Sequence, residues 1–131
     1  MGFLERIDRY RDEMVAALRE QLAIESVAGG PDGDMPFGAG VHKAMLAMLE
    51  LGRREGFTPY NADNWGGHLE FPGGDARAGV LGIQAHLDVV PAGNDWDYPP
   101  FEGRIVDGRI YGRGTTDDKG PAIAVFYAMK A

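Results

Sequence analysis

The chain of 131 residues contains no cysteine, which excludes disulfides and thiolate metal ligation together. Any metal it holds must sit on imidazole and carboxylate. Long apolar runs are missing too: no stretch approaches the roughly 20 residues that span a bilayer. The first ten residues, MGFLERIDRY, carry charges every few positions, unlike the continuous apolar core of a signal peptide. Positive charge is in deficit, with 13 Lys and Arg against 20 Asp and Glu and a net charge of −7. Such a balance argues against a surface for nucleic acid or anionic membrane. The expectation is a cytoplasmic protein with neither nucleic acid nor membrane as partner. No internal repeat is visible.

What is present suits a globular fold: 44% of the residues are hydrophobic and 25% charged, enough to bury a core. From Gly2 to about Ile24, Leu4, Ile7, Met14, Leu18 and Leu22 share one helical stripe, which predicts an amphipathic helix. Residues 25–39 (ESVAGGPDGDMPFGA) hold four glycines and two prolines and read as a loop, long enough to suggest that it lines a site. Val41, Ala44, Met45, Met48 and Leu49 give a second helical face, ending at a left-handed cap near Gly56. Phe57–Asn61 and His68–Phe71 are short strand candidates. The apolar run Ala78–Leu87 (AGVLGIQAHL) predicts a central strand covered on both faces. Residues 104–111 (RIVDGRIY) are a hairpin with Asp-Gly at its turn. A last helix is expected from Pro121, a favoured first helical residue.

Two motifs carry chemistry. His86 and Asp88 lie two apart at the end of the predicted central strand, so their side chains project to the same side. The carboxyl end of such a strand is where helix-flanked sheets bind ligands. A metal-bound imidazole needs a partner on its other nitrogen, and Asp88 is a candidate. The alternative is a core histidine beside a turn-capping aspartate. The second motif, GRGTTDDKGP from Gly112 to Pro121, sets Asp117 and Asp118 side by side in a glycine-rich turn before a helix. Capping needs only one acid, whereas a carboxylate can bridge two divalent ions about 3.5–4 Å apart. A phosphate loop is disfavoured, because the Gly-Lys-Ser/Thr order is absent and two aspartates repel phosphate.

HLDVVPAG from His86, Trp96-Asp-Tyr-Pro-Pro-Phe101 and DGRIYGRGTTDDKGP from Asp107, in this order and spacing, resemble the zinc-dependent dipeptidases of the peptidase V type. These belong with aminoacylase and bacterial glutamate carboxypeptidase. Met35-Pro-Phe-Gly38 and the helix after it resemble the start of the same catalytic domain. The resemblance implies an α/β fold, an incomplete three-layer mixed sheet flanked by helices, with residues 1–131 as the N-terminal portion of a zinc-exopeptidase-like catalytic domain. The rest of that domain and a smaller lid domain lie outside this chain.

Residue by residue, the resemblance makes His86 a zinc ligand and Asp117 the carboxylate bridging two zinc ions, with cobalt or manganese as alternative metals. Asp88 becomes the catalytic aspartate that orients His86 and supports the general base. The peptide bond after Asp117 is expected to be cis. Asp118, Lys119 and Gly120 shape the loop. The general base itself, a glutamate of a Glu-Glu pair, and the remaining ligands have no counterpart here. His42 and His68 fall outside every motif and read as structural or exposed. The implied activity is hydrolysis of dipeptides or small peptides by a water activated between two zinc ions, with this chain alone inactive. Deacylation of N-acyl amino acids is the alternative within the family. A non-catalytic structural or partner-binding module is the alternative outside it. Self-association through exposed apolar surface is expected in either case.

Overall fold

The computed structural model describes residues 2–75 and 77–131. Helices α1 (Phe3–Asp8), α2 (Arg11–Leu22) and α3 (Ala39–Arg54) are followed by strands β1 (Thr58–Asn61), β2 (Gly67–Glu70), β3 (Arg104–Val106) and β4 (Arg109–Tyr111), and then by helix α4 (Lys119–Lys130). The α/β character matches the expectation, and the expected elements occur in their expected order with one exception.

The single N-terminal helix is instead two, broken at Arg9 and Tyr10. Packing explains the break. The Tyr10 ring lies 5.9 Å from that of Tyr127 on α4, with the Lys130 ammonium 4.2 Å from its centroid. α2 then lays Ala17, Leu18 and Leu22 against Ile123, Phe126 and Tyr127 of α4, and Leu51 and Phe57 complete this core. α3 ends as its sequence predicts, with Gly56 at φ +86° just beyond the last turn.

β1 and β2 pair antiparallel with Thr58 opposite Glu70, and β3 and β4 with Arg104 opposite Tyr111. The second hairpin turns through Asp107 at φ +49° and Gly108 at φ +73°, the two left-handed residues a tight hairpin requires.

The exception is the central strand. The sheets are two separate two-stranded ladders, and 78–87 is a segment without regular secondary structure outside both. A central strand needs a neighbour on each edge. All four strands described here are consumed in their own hairpins, so none lies beside this segment. Its apolar side chains stand in solvent accordingly, with Val80 99% and Leu81 84% exposed. Just past it, Val27 and Val89 make an isolated parallel bridge, which fixes the place where His86 and Asp88 emerge. No described helix is long and apolar enough to cross a membrane.

Candidate metal-binding site

The 78–87 segment and the glycine-rich loop converge on His86. Its Nε2 lies 3.0 Å from Asp117 Oδ1, while Nδ1 lies 3.1 Å from the Asp88 carbonyl oxygen and 3.3 Å from Asp88 Oδ1. The His86 backbone N–H donates to Asp118 Oδ2 at 3.2 Å. His86, Asp88 and Asp117, singled out from two distant motifs, are therefore neighbours. Burial of the ring disfavours its charge, but the Asp88 carbonyl and the Asp117 carboxylate outweigh it and raise the imidazole pKa above 6.5. Asp117 is 86% exposed at its side chain, so the open side of the pair faces solvent.

The capping alternative fails on geometry. Asp118 is the N-cap of α4, yet neither it nor Asp117 makes a side-chain cap bond; Asp118 reaches back to His86 instead. The peptide bond between them is cis, as the resemblance implied.

The loop can fold this way because of two glycines. A Cβ on Gly120 would collide with the Thr115 carbonyl oxygen, and one on Gly114, at φ +93°, would sit 2.9 Å from Val89 Cγ1. Gly114 is thus where the loop touches the segment bearing His86. Arg113 adds a second tie, donating from Nη2 to the Ala92 carbonyl at 3.2 Å.

Three supporting residues act through long-range contacts: Ser26, which carries no sequence signal of its own, and Lys119 and Asp118, which the sequence marks only as loop-shaping. Ser26 and Lys119 are fully buried. The Ser26 hydroxyl donates to the Leu87 carbonyl at 2.6 Å, and its carbonyl accepts from Val89 N–H at 3.0 Å. Lys119 Nζ donates to the carbonyls of Gln21 and Ile24, each at 2.7 Å, at the end of α2 where the helix dipole favours a cation. Burial pushes this ammonium down to about 8. Asp118, expected only to shape the loop, holds the His86 backbone. These contacts join residues far apart in the chain, and no local pattern announces them.

His42 and His68 stay apart from this cluster. His68 pairs with Glu70 at 3.1 Å and stacks on Tyr60, and His42 Nδ1 is buried without a partner. Both border an apolar hollow of about 650 Å³ beneath the 78–87 segment, between Met45, Leu49, Phe57 and Met129.

The donor chemistry suits a divalent ion in part. Zinc takes imidazole nitrogen at about 2.0–2.1 Å and carboxylate oxygen at about 2.0–2.2 Å. Two such donors on one ion stand about 3 Å apart, as His86 Nε2 and Asp117 Oδ1 do. Asp88 on the other ring nitrogen is the partner a metal-bound histidine requires. Among the described residues no set of three or more acidic or histidine side chains converges on one point, so the cluster is a partial donor set.

Comparison with known proteins agrees with the motifs. Residues 82–131 match the family described as Peptidase family M20/M25/M40. The chain is 42% identical over 134 residues to "Putative dipeptidase YtjP" of Bacillus subtilis (strain 168), covering 99% of this chain and 28% of that protein. A protein given the same description in Staphylococcus aureus (strain USA300) is 44% identical over 128 residues, covering 96% of this chain and 27% of that protein. The crystal structure of human carnosine dipeptidase 1 superposes with a TM-score of 0.75 at 29% identity, over 98% of this chain and 30% of its own. The chain thus spans less than a third of the length of these relatives.

Proposed function

We propose that this chain, whose residues 82–131 match the family described as Peptidase family M20/M25/M40 and whose fold is similar to that of a dipeptidase, contributes one side of the hydrolytic centre of a zinc dipeptidase. The observation that carries the reading is the placement of His86 between Asp88 and Asp117. His86 Nε2 and Asp117 would hold zinc, with Asp117 as the bridge between two ions. Bound there, zinc would polarise the scissile amide carbonyl and acidify a water.

The chain's own residues prepare that chemistry. Asp88 fixes a proton on Nδ1, which leaves the Nε2 lone pair for the metal. Asp118 holds the His86 main chain, which fixes the point from which the ring reaches Asp117. The proton removed from water needs a base close to the reacting atom, and no acid from Pro121 to Ala131 can serve. With only a partial donor set among the described residues, the 131-residue chain by itself is proposed to be inactive. Dipeptides and other small peptides are the proposed substrates, ahead of N-acyl amino acids.

Incubating the purified chain with zinc and a dipeptide panel tests this reading. No turnover is expected, together with a zinc-induced shift of the His86 and Asp117 resonances. Zinc-dependent turnover lost in His86→Ala would overturn the inactivity, and zinc leaving both resonances unmoved would overturn the site.

A second reading concerns association. The exposed 79–85 segment lies outside both sheets with apolar side chains in solvent, a stretch open to pairing with another chain. We propose that the chain self-associates there. The proposed setting is the cytoplasm.

A further inference from the structure

Both arms of the site lean on one short stretch of chain, the end of α2 and the residues after it. One arm bears His86 and Asp88 on 86–89. The Ser26 hydroxyl holds it at the Leu87 carbonyl with a 2.6 Å bond, and the Ser26 carbonyl holds it at Val89 N–H, 3.0 Å away. Those two bonds straddle Asp88. The other arm bears Asp117 and Asp118. Lys119 anchors it two residues further on, through bonds of 2.7 Å to the carbonyls of Gln21 and Ile24. Gln21 in turn donates from Nε2 to the Ala44 carbonyl of α3 at 3.3 Å, which ties the stretch to a third element. The anchoring side chains Gln21, Ser26 and Lys119 are all buried, and the bonds made by Gln21 and Lys119 are buried with them. Gly114, against Val89 and the Lys119 side chain, closes the triangle.

We infer that residues 21–26 are the common brace that sets the separation of His86 from Asp117, and that Ser26 within it is a positioning residue. The inference rests on the metal-site reading above and extends it to a residue outside the matched family region, 82–131. Ser26 touches no reacting atom. It acts through Leu87 and Val89, by fixing the register at which His86 leaves the 78–87 segment. Loss of its hydroxyl frees the Leu87 carbonyl, lets 86–88 slide along the brace and opens the gap to Asp117. A residue supporting metal ligands from behind is worth about 10-fold or more in metal affinity.

The test compares Ser26→Ala, Ser26→Thr and a core control, Met48→Ala, in the 131-residue chain, well below each variant's unfolding temperature. The first readout needs no metal: the ¹⁵N resonance of His86 Nε2, which reports the Asp117 contact. Ser26→Ala should move it toward that of a free histidine. Ser26→Thr, which keeps a hydroxyl, should hold it near the wild-type position, and Met48→Ala should leave it in place. Lys119→Met, acting on the opposite arm, should reproduce the Ser26→Ala shift. The second readout is zinc titration followed on the same resonance, where Ser26→Ala should weaken binding about 10-fold.

An unchanged Nε2 resonance in both Ser26→Ala and Lys119→Met overturns the brace, as does an equal shift in Met48→Ala. Zinc failing to perturb His86 in the wild-type chain would count against the metal site alone, since the metal-free readout still decides the brace.

Discussion

His86 and Asp117, 31 positions apart in sequence, meet with Nε2 3.0 Å from Oδ1. Without metal, this contact needs a proton on Nε2, while Asp88 asks for one on Nδ1. Two acceptors on one ring favour the doubly protonated imidazolium. A divalent ion would take the place of the Nε2 proton, so proton and metal compete for the same atom.

Removing the acceptor should therefore be felt at both. Asp117→Asn should lower the His86 pKa and weaken zinc binding by at least 10-fold, because the proposed carboxylate ligand becomes a neutral amide. Paired NMR and zinc titrations of wild type and variant measure this. An unaltered zinc affinity would remove Asp117 from the donor set.

The sign of the pH dependence follows from the raised His86 pKa. The folded chain holds this proton more tightly than the unfolded chain does. The resulting stability is fully present below about pH 6.5, the unfolded value, and is lost as pH rises through the higher folded pKa. With the ring about half exposed the effect is small, and it should vanish in His86→Ala. Denaturant melts of the metal-free chain from pH 5 to 9 should show that difference, and parallel curves for the two proteins would contradict it.

Gly120→Ala should be among the most damaging small substitutions in the chain. Its new methyl meets a backbone carbonyl at Thr115, which has no rotamer to give way. A loss of about 2 kcal/mol or more is expected for such a clash, with the His86 and Asp117 resonances displaced. A melting temperature equal to wild type would show that the loop does not need the close approach at Gly120.

The exposed 79–85 segment offers a solubility test. Leu81→Lys places a charge in it and should shift the chain toward monomer in light scattering, because a charged segment resists strand pairing. Wild type that is already monomeric at high concentration would end the self-association proposal.

Local chemistry was readable in the sequence, and long-range placement was not. The β3–β4 turn was legible because Asp107 and Gly108 encode their own left-handed geometry, and the end of α3 was legible through Gly56. His86, Asp88 and Asp117 are legible as candidates from their two motifs, but spacing alone leaves the structural alternatives open and only the family resemblance assigns their metal roles. The apolar run at 78–87 misled as to its pairing: hydrophobicity marks a segment able to join a sheet but not whether a neighbour is at hand. Ser26 has no local signature and Lys119 is legible only as a loop-shaping residue, because their partners lie 61 and 95–98 positions away.

Those separations also set an order of events during synthesis. Residues 21–26 leave the ribosome long before the lysine that grips their carbonyls. At about 5–20 residues per second, a gap of some 95 residues is a wait of roughly 5–20 s. Through that interval the carbonyls of Gln21 and Ile24 have only water as a partner for their Lys119 bonds, and the two halves of the site have no fixed distance between them. The first residue of α4 thus locks in place a stretch of chain made some 95 residues before it.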